Sequence, residues 1–173
     1  MMNDLSANNC KQNDVLRLAG TDMCQLSGLL ENYGLSLKTI NTGSNIPGSF
    51  WGDEEAGLIG NELLVRNDTP IHSILHEACH YVCMDQTRRE GLHTDAGGGY
   101  DEENAVCYLQ VLLADKLAGY GRQRMFRDMD LWGYTFRLGS AHAWFENDAD
   151  DARKWLLQHT LIDKHCQPNW QLR

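Results

Sequence analysis

The sequence lacks the features that mark membrane, secreted and metal-ribbon proteins. No apolar run approaches the roughly 20 residues that a membrane-spanning helix needs. The first residues carry neither the basic stretch nor the apolar stretch of a secretory signal. The six cysteines form no C-x-x-C pair of the kind that builds a structural zinc ribbon. We therefore expect a soluble, cytoplasmic protein with free thiols and no membrane partner.

Basic residues are also scarce. Lys and Arg number 15 against 24 Asp and Glu, which gives a formal net charge of −9. Because such a surface repels phosphate backbones, we expect no nucleic-acid partner. The 173 residues, 42% of them hydrophobic, suit one globular domain. We expect that domain to span 1–173, with residues 1–13 as a loose polar tail.

Periodic apolar segments separated by turn signals predict an α+β fold. One helix comes first, then a small, mostly antiparallel sheet, and then an active-site helix with further helices towards the C-terminus. The sheet includes a hairpin around the turn pair Gly60-Asn61. The predicted elements are a helix at 21–33, a strand at 35–40, two strands within 56–66, a helix capped by Thr69 with Pro70 in its first turn, a helix capped by Asp101 and ending near Gly119, and helices at 121–131 and 148–163.

The stretch HSILHEACHYVCMD, residues 72–85, contains His76, Glu77 and His80 in the order H-E-x-x-H. Residues four apart on a helix lie one turn apart on the same face, so both imidazoles can bind one metal ion. Glu77 lies beside them and is placed to take a proton from a water that the metal activates. We expect His72, one turn earlier, to be exposed. The apolar residues of this helix form a separate core stripe, which consists of Ile71, Ile74, Leu75, Ala78, Cys79 and Val82.

A two-histidine metal site needs a third protein ligand, and the apolar pattern of the following helix favours Glu102. This residue stands in the first turn of the apolar stripe, where an unpaired carboxylate is costly. Glu103 shares less of that stripe, because Gln110 follows it at seven residues. The simpler alternative is that Glu102 only favours the N-terminus of its helix. His93 and Asp95, in a glycine-rich loop, remain alternative third ligands.

Two stretches of the chain resemble a known family. They are GLIGNELLVRNDTPIHSILHEACH and EENAVCYLQVLL, which lie between residues 57 and 113. Together they resemble the zincin metallopeptidases of the glutamate-ligand type, the gluzincins, and among these the ImmA/IrrE-type family. The resemblance covers roughly residues 55–115. The family commonly has Gly before the second His, where this chain has Cys79.

The resemblance implies a minimal zincin-like fold and a zinc-dependent metallopeptidase. Zn²⁺ would be held by His76, His80 and Glu102, with Glu77 as general base. The substrate would be a protein or peptide, which an edge strand at 62–66 could bind by adding a strand to the sheet.

Three further residues are candidates for stabilising the oxyanion, because zincins often use a Tyr, His or Arg for this purpose. They are Tyr134, Arg137 and His142. The alternative to an enzyme is a non-catalytic zincin-like protein that acts as a protein-binding module and whose metal site is structural or vestigial. The oligomeric state stays open.

Overall fold

The computed structural model describes residues 14–49, 54–93 and 95–173, and within them seven α-helices accompany three short strands. The α+β class predicted from the sequence is thus confirmed. The loose tail predicted for 1–13 lies outside the described residues. The helices are α1 (Met23–Glu31), α2 (Ile71–Cys83), α3 (Gln86–Glu90), α4 (Tyr100–Ala114), α5 (Gly121–Trp132), α6 (Ala141–Asn147) and α7 (Asp150–Gln158), and the strands are β1 (Ser36–Thr39), β2 (Gly57–Ile59) and β3 (Glu62–Val65).

The three strands form a mixed sheet in the order β1-β3-β2. The predicted hairpin is confirmed, since β2 and β3 pair antiparallel across the Gly60-Asn61 turn. β1 pairs parallel with β3, whereas a mostly antiparallel sheet was expected. A parallel pair needs a long connection, and the stretch between β1 and β3 provides one. β3 is consequently the central strand, so the prediction of a free edge at 62–66 is wrong.

The helix α2 carries its core stripe as the pattern predicts. All six residues of the stripe are fully buried. Pro70 occupies the N-cap position expected for Thr69, so the helix begins one residue later than expected. The Thr69 hydroxyl does not cap this helix and instead accepts a hydrogen bond from the backbone N–H of Arg66 at 2.9 Å. His72 is 1% exposed, which corrects the expectation of an exposed side chain, because the rings of Trp132 and Tyr134 cover it.

The helix α4 lies at the centre of the helical layer, where it packs against α2, α5 and α7. Eleven of its 15 residues are buried, so the helix is enclosed on nearly all sides. It begins at Tyr100 after an N-cap glycine, so Asp101 lies inside the first turn and does not cap the helix. It ends at Ala114 rather than near Gly119. Some polar residues of α4, such as Glu102 and Gln110, are therefore buried against protein.

The C-terminal part of the fold contains both predicted helices, one of them shorter than expected, and a third helix that was not predicted. The helix expected at 121–131 is α5, which ends where Gly133 adopts a left-handed φ of 103°. The helix expected at 148–163 is shorter, since α7 ends at Gln158. The helix α6 was not predicted; the Ser140 side chain caps it by accepting from Ala143 N–H at 3.1 Å.

Two sequence-based expectations concern membrane-spanning helices and cysteine thiols. Within the described residues, no helix combines the length and the apolar character needed to cross a membrane. Cys10 lies outside the described part of the chain. The remaining cysteines are free thiols, as expected: Cys24, Cys79, Cys83, Cys107 and Cys166.

A fully buried carboxylate, Asp128 of α5, ties the segment before α1 to the helical layer. It accepts hydrogen bonds from the backbone N–H of Leu16 at 3.0 Å and from the Tyr120 hydroxyl at 3.1 Å. It also pairs with the Arg124 guanidinium at 2.8 Å. Removal of this carboxylate leaves three buried or half-buried donors without their acceptor, and an orphaned donor is expensive.

Replacing Asp128 by Ala is therefore expected to lower the free energy of unfolding by about 3–5 kcal/mol, because three donors lose their acceptor at about 1–3 kcal/mol each and the part-exposed Arg124 can turn to water. Urea denaturation followed by circular dichroism measures the change. A matched control is Asp150→Ala, which removes an exposed carboxylate paired with Arg153 at 3.3 Å and should change stability only slightly. Equal losses in the two variants would contradict the structural role of Asp128.

Candidate metal centre

The helices α2 and α4 bring three metal-ligating side chains together. The Nε2 atoms of His76 and His80 lie 3.1 Å apart. One carboxylate oxygen of Glu103 lies 3.2 Å from His76 Nε2, and the other lies 3.3 Å from His80 Nε2. Within the part of the chain that the structure describes, these are the His, Cys, Asp and Glu side chains that meet in a group of three, with ligand atoms within 4.8 Å of one another.

The spacing of the three side chains fits a zinc ion. Zinc bonds to nitrogen and oxygen ligands of about 2.0–2.1 Å in a tetrahedral arrangement put neighbouring ligand atoms about 3.3 Å apart. The two histidine nitrogens lie 3.1 Å apart, and the two oxygens of Glu103 lie 3.2 and 3.3 Å from one nitrogen each, so each contact is close to that spacing. Two imidazoles and one carboxylate are also the donor set of many catalytic zinc sites, in which the fourth position stays open.

The electrostatics of the group call for a positive charge at its centre. Burial opposes the charged form of His76, yet neighbouring Tyr134, Cys107 and Glu103 together raise its pKa well above the ordinary value. Burial and the positive His76 lower the pKa of His80 to about 4. Burial opposes the ionised form of Glu103, but its hydrogen bond with His76 holds its pKa below the ordinary range. A cation, whether a proton on His76 or a metal ion, balances the acceptors that face one another here.

Glu102, the predicted third ligand, does not lie beside the two histidines, and the carboxylate that does is that of Glu103. The Glu102 carboxylate is 6% exposed and forms a two-pronged pair with Arg88, at 2.8 and 2.9 Å. A second guanidinium, that of Arg173, lies 3.1 Å from it. The expectation that a carboxylate here needs a partner holds. Its partners are two arginines, so Glu103 is the residue that could complete a metal site with the histidines.

The apolar pattern did not predict which glutamate lies beside the histidines, because α4 has no single apolar face. With burial on nearly all sides, the apolar stripe below Glu102 does not distinguish the helix face that meets α2. The position of Gln110 indicates which helix face meets α2. It lies seven residues after Glu103, on the same face of the helix, and its Oε1 atom lies 3.0 Å from His76 Nδ1. A buried polar stripe on α4 that faces the histidine stripe on α2 points to Glu103.

Glu77 lines the same cavity as the three ligand residues, with a volume of about 570 Å³. It does not belong to the group of ligand atoms, in keeping with its predicted role as a base rather than a ligand. Burial raises the pKa of its carboxyl to about 7, with the positive His76 opposing the rise and the negative Glu55 and Glu103 adding to it. A carboxylate in this state can accept and release a proton near neutral pH.

Of the candidates for oxyanion stabilisation, Tyr134 is the one at the cavity. Its ring lies edge-on to the His76 ring at 5.7 Å, and its hydroxyl lies 3.2 Å from His72 Nδ1. Arg137 pairs with Asp148 away from the cavity, and its side chain is 78% exposed. His142 packs against the Phe126 ring at 5.0 Å. Neither of these two residues lines the cavity.

The alternative third ligands in the glycine-rich loop take different places. Asp95 lines the cavity, where its carboxylate accepts a hydrogen bond from the backbone N–H of Gly97 at 2.9 Å. His93 forms a bridge with Ile59 at the end of β2. Neither belongs to the group of three ligand side chains.

The cavity wall is acidic beyond what the ligand set requires. Glu55 and Asp95 add carboxylates to those of Glu77 and Glu103, and none of the described lining residues is Lys or Arg. Glu55 is held by the Trp132 indole, whose N–H donates to its carboxylate at 2.9 Å.

Comparison of the chain with protein-family models, with curated proteins and with solved structures found no match, so the chemistry of this centre has to be inferred from its own residues.

Proposed function

We propose that the protein is a zinc-dependent metallopeptidase that acts in the cytoplasm. The observation that carries the proposal is the triangle formed by His76, His80 and Glu103, with Glu77 beside it in an open cavity. A zinc ion bound by these three ligands would polarise the scissile carbonyl and make water a stronger acid. The resemblance of residues 55–115 to gluzincins of the ImmA/IrrE type supports the same proposal, with Glu103 in the place that the apolar pattern and the resemblance gave to Glu102.

The other residues of the cavity supply the proton transfers and the orientation. Glu77 takes a proton from the attacking water and delivers it to the leaving amine, which balances the hydrolysis of one peptide bond by one water molecule. The indole of Trp132 and the ring of Tyr134 form the apolar part of the cavity wall, against which a substrate side chain can pack.

The competing proposal is a non-catalytic protein whose metal site is structural. A structural zinc site is closed by a fourth protein ligand, whereas a catalytic site keeps that position open. Among the described residues, no fourth His, Cys, Asp or Glu joins the group. This favours the catalytic alternative.

The test is hydrolysis of an unfolded protein such as reduced casein by purified protein, with fragments identified by mass spectrometry. We expect cleavage that stops when a chelator removes zinc and returns when one equivalent of zinc is added. A protein that binds zinc stoichiometrically but cleaves neither casein nor a mixed peptide library would favour the binding module. A protein that binds no zinc would overturn the metallopeptidase and the structural zinc site, and would leave a binding module with a vestigial site.

The acidic wall predicts a preference for basic side chains near the scissile bond. Two unit charges about 8 Å apart at an effective dielectric constant of about 20 interact by about 2 kcal/mol, and salt reduces this. We expect kcat/KM for a Lys-containing peptide to exceed that for its Glu counterpart by on the order of tenfold. Glu55→Gln should reduce this ratio, while Glu31→Gln, on the remote helix α1, should not. An unchanged ratio in Glu55→Gln would exclude Glu55 as its source.

A further inference from the structure

A fully buried amide, Gln110 of α4, connects two successive turns of α2. Its Oε1 atom lies 3.0 Å from His76 Nδ1, and its Nε2 atom lies 2.8 Å from the backbone carbonyl oxygen of His72. The same Nε2 atom lies 3.5 Å from the sulfur of Met125 on α5. Both polar atoms of the amide thus have partners within the protein.

These partners determine which way the amide points. A backbone carbonyl can only accept hydrogen bonds, so the NH₂ group of Gln110 must face His72. The amide oxygen therefore faces His76. An amide oxygen can also only accept, so the Nδ1 atom of His76 must carry a proton.

The consequence lies at the other nitrogen of the same ring. A neutral imidazole has one proton, and if Nδ1 holds it, Nε2 presents its lone pair. His76 Nε2 is the atom that lies 3.1 Å from His80 Nε2 and 3.2 Å from Glu103. The neutral ring is thereby in the form that can bind a metal ion through Nε2.

The second histidine has no such support at its Nδ1 atom. That atom of His80 is buried and has no hydrogen-bond partner within the described part of the chain. The two histidines are thus unequal: Gln110 holds the Nδ1 side of the His76 ring, whereas the polar contacts of His80 are at Nε2, with Glu103 and His76.

We propose that Gln110 is a positioning residue that holds His76 in its Nδ1–H tautomer and so prepares Nε2 as a zinc ligand. This inference rests on the proposed zinc site and names the residue that organises it. Gln110 touches neither substrate nor metal, and its effect passes entirely through the His76 ring. Groups that hydrogen-bond the second ring nitrogen of a metal-binding histidine typically contribute about 10- to 100-fold to metal affinity.

The experiment compares zinc and cobalt binding in four full-length proteins. In Gln110→Met, which keeps the length of the side chain but loses the acceptor, the zinc dissociation constant is expected to rise about 10- to 100-fold. The visible absorption of the Co²⁺ complex should weaken or shift, because the His76 ring is no longer held. Gln110→Glu should bind zinc nearly as wild type does, because its acid group can donate to the His72 carbonyl and accept from His76. Met125→Leu, which alters the other neighbour of the amide, should also behave as wild type.

A second measurement needs no variant. Long-range ¹⁵N–¹H spectra of the wild-type histidines before zinc is added should show His76 either as the Nδ1–H tautomer or as the doubly protonated ring. A His76 with its proton on Nε2 alone would overturn the inference even if Gln110→Met fails to fold.

The outcomes separate this inference from the proposed function. Unchanged zinc affinity and an unchanged cobalt spectrum in Gln110→Met overturn the positioning role while the zinc site itself stands. A wild-type protein that binds neither zinc nor cobalt overturns the proposed function and this inference together. Loss of affinity in Gln110→Met with recovery in Gln110→Glu supports it, since a purely structural role would not follow the hydrogen-bonding pattern.

Discussion

Replacing Glu103 by Ala is expected to abolish stoichiometric zinc binding, whereas replacing Glu102 by Ala should preserve it. The two residues are neighbours in the first turn of α4, both are acidic, and one carboxylate faces the histidines while the other faces Arg88 and Arg173. Since loss of a residue that only supports a ligand weakens metal binding by about 10- to 100-fold, loss of the ligand itself should exceed about 100-fold.

The stability of the two variants should change in the opposite order. Glu102→Ala leaves two half-buried guanidinium groups without their shared carboxylate, which should lower the free energy of unfolding by about 2–3 kcal/mol, less than for a fully buried pair. Glu103 is more exposed than Glu102, with a side chain that is 49% exposed against 8%. Its removal should therefore leave the stability of the zinc-free protein nearly unchanged.

For both variants, zinc binding is measured as metal content per chain and by competition with a chromophoric chelator. The free energy of unfolding is measured by urea denaturation in the presence of a chelator. Zinc lost from Glu102→Ala but kept by Glu103→Ala would return the ligand role to Glu102. Zinc kept by both would indicate a ligand from the loop that contains Asp95.

The Glu102 cluster also explains how the cavity wall next to the metal centre is held. Arg88 bonds the Ala96 carbonyl as well as Glu102, so one guanidinium ties α4 to the loop that carries Asp95, Ala96 and Gly97. At Gly98, where φ is 101°, a Cβ would lie 2.7 Å from a Glu102 oxygen. The positive φ and this close contact together favour glycine at the position. The residue that was predicted to bind the metal shapes the loop beside it.

Much of α2 could be predicted from the sequence because its information is local. The spacing of its six core residues and the H-E-x-x-H pattern depend only on helical geometry, and both place the side chains where the structure has them. The burial of His72 was not predictable in this way. The rings that cover it, Trp132 and Tyr134, lie about 60 residues further along the chain.

The same limit applies to the sheet and to the third ligand. Turn residues specify the β2–β3 hairpin locally, but nothing near residues 36–39 reveals that β1 pairs parallel with β3. For α4, burial on nearly all sides removes the amphipathic contrast that periodicity needs. The structure pairs two polar stripes, one on α4 with Glu103 and Gln110 and one on α2 with His76 and His80. Such a pairing depends on how two helices pack, so neither helix sequence alone predicts it.

Glu77→Gln is expected to keep zinc and lose peptide hydrolysis, which is the second large effect. The amide has the size of the carboxylate but cannot accept the proton of the attacking water or return it to the leaving amine. General acid–base catalysis by one residue contributes about 10²–10⁴ in rate, so kcat should fall by at least about 100-fold. Because Glu77 is outside the group of ligand atoms, the zinc dissociation constant should stay close to that of wild type.

The matched control for this variant is Glu55→Gln, which makes the same change of carboxylate to amide in the same cavity. With a peptide that carries no charge near the scissile bond, Glu55→Gln should hydrolyse at nearly the wild-type rate, since Glu55 acts on Glu77 only through its charge, which contributes less than burial does to the raised pKa of Glu77. A fully zinc-bound Glu77→Gln with wild-type turnover would remove Glu77 from the mechanism. Equal losses in the two variants would mean that the charge of the cavity, and not a proton transfer at Glu77, controls the rate.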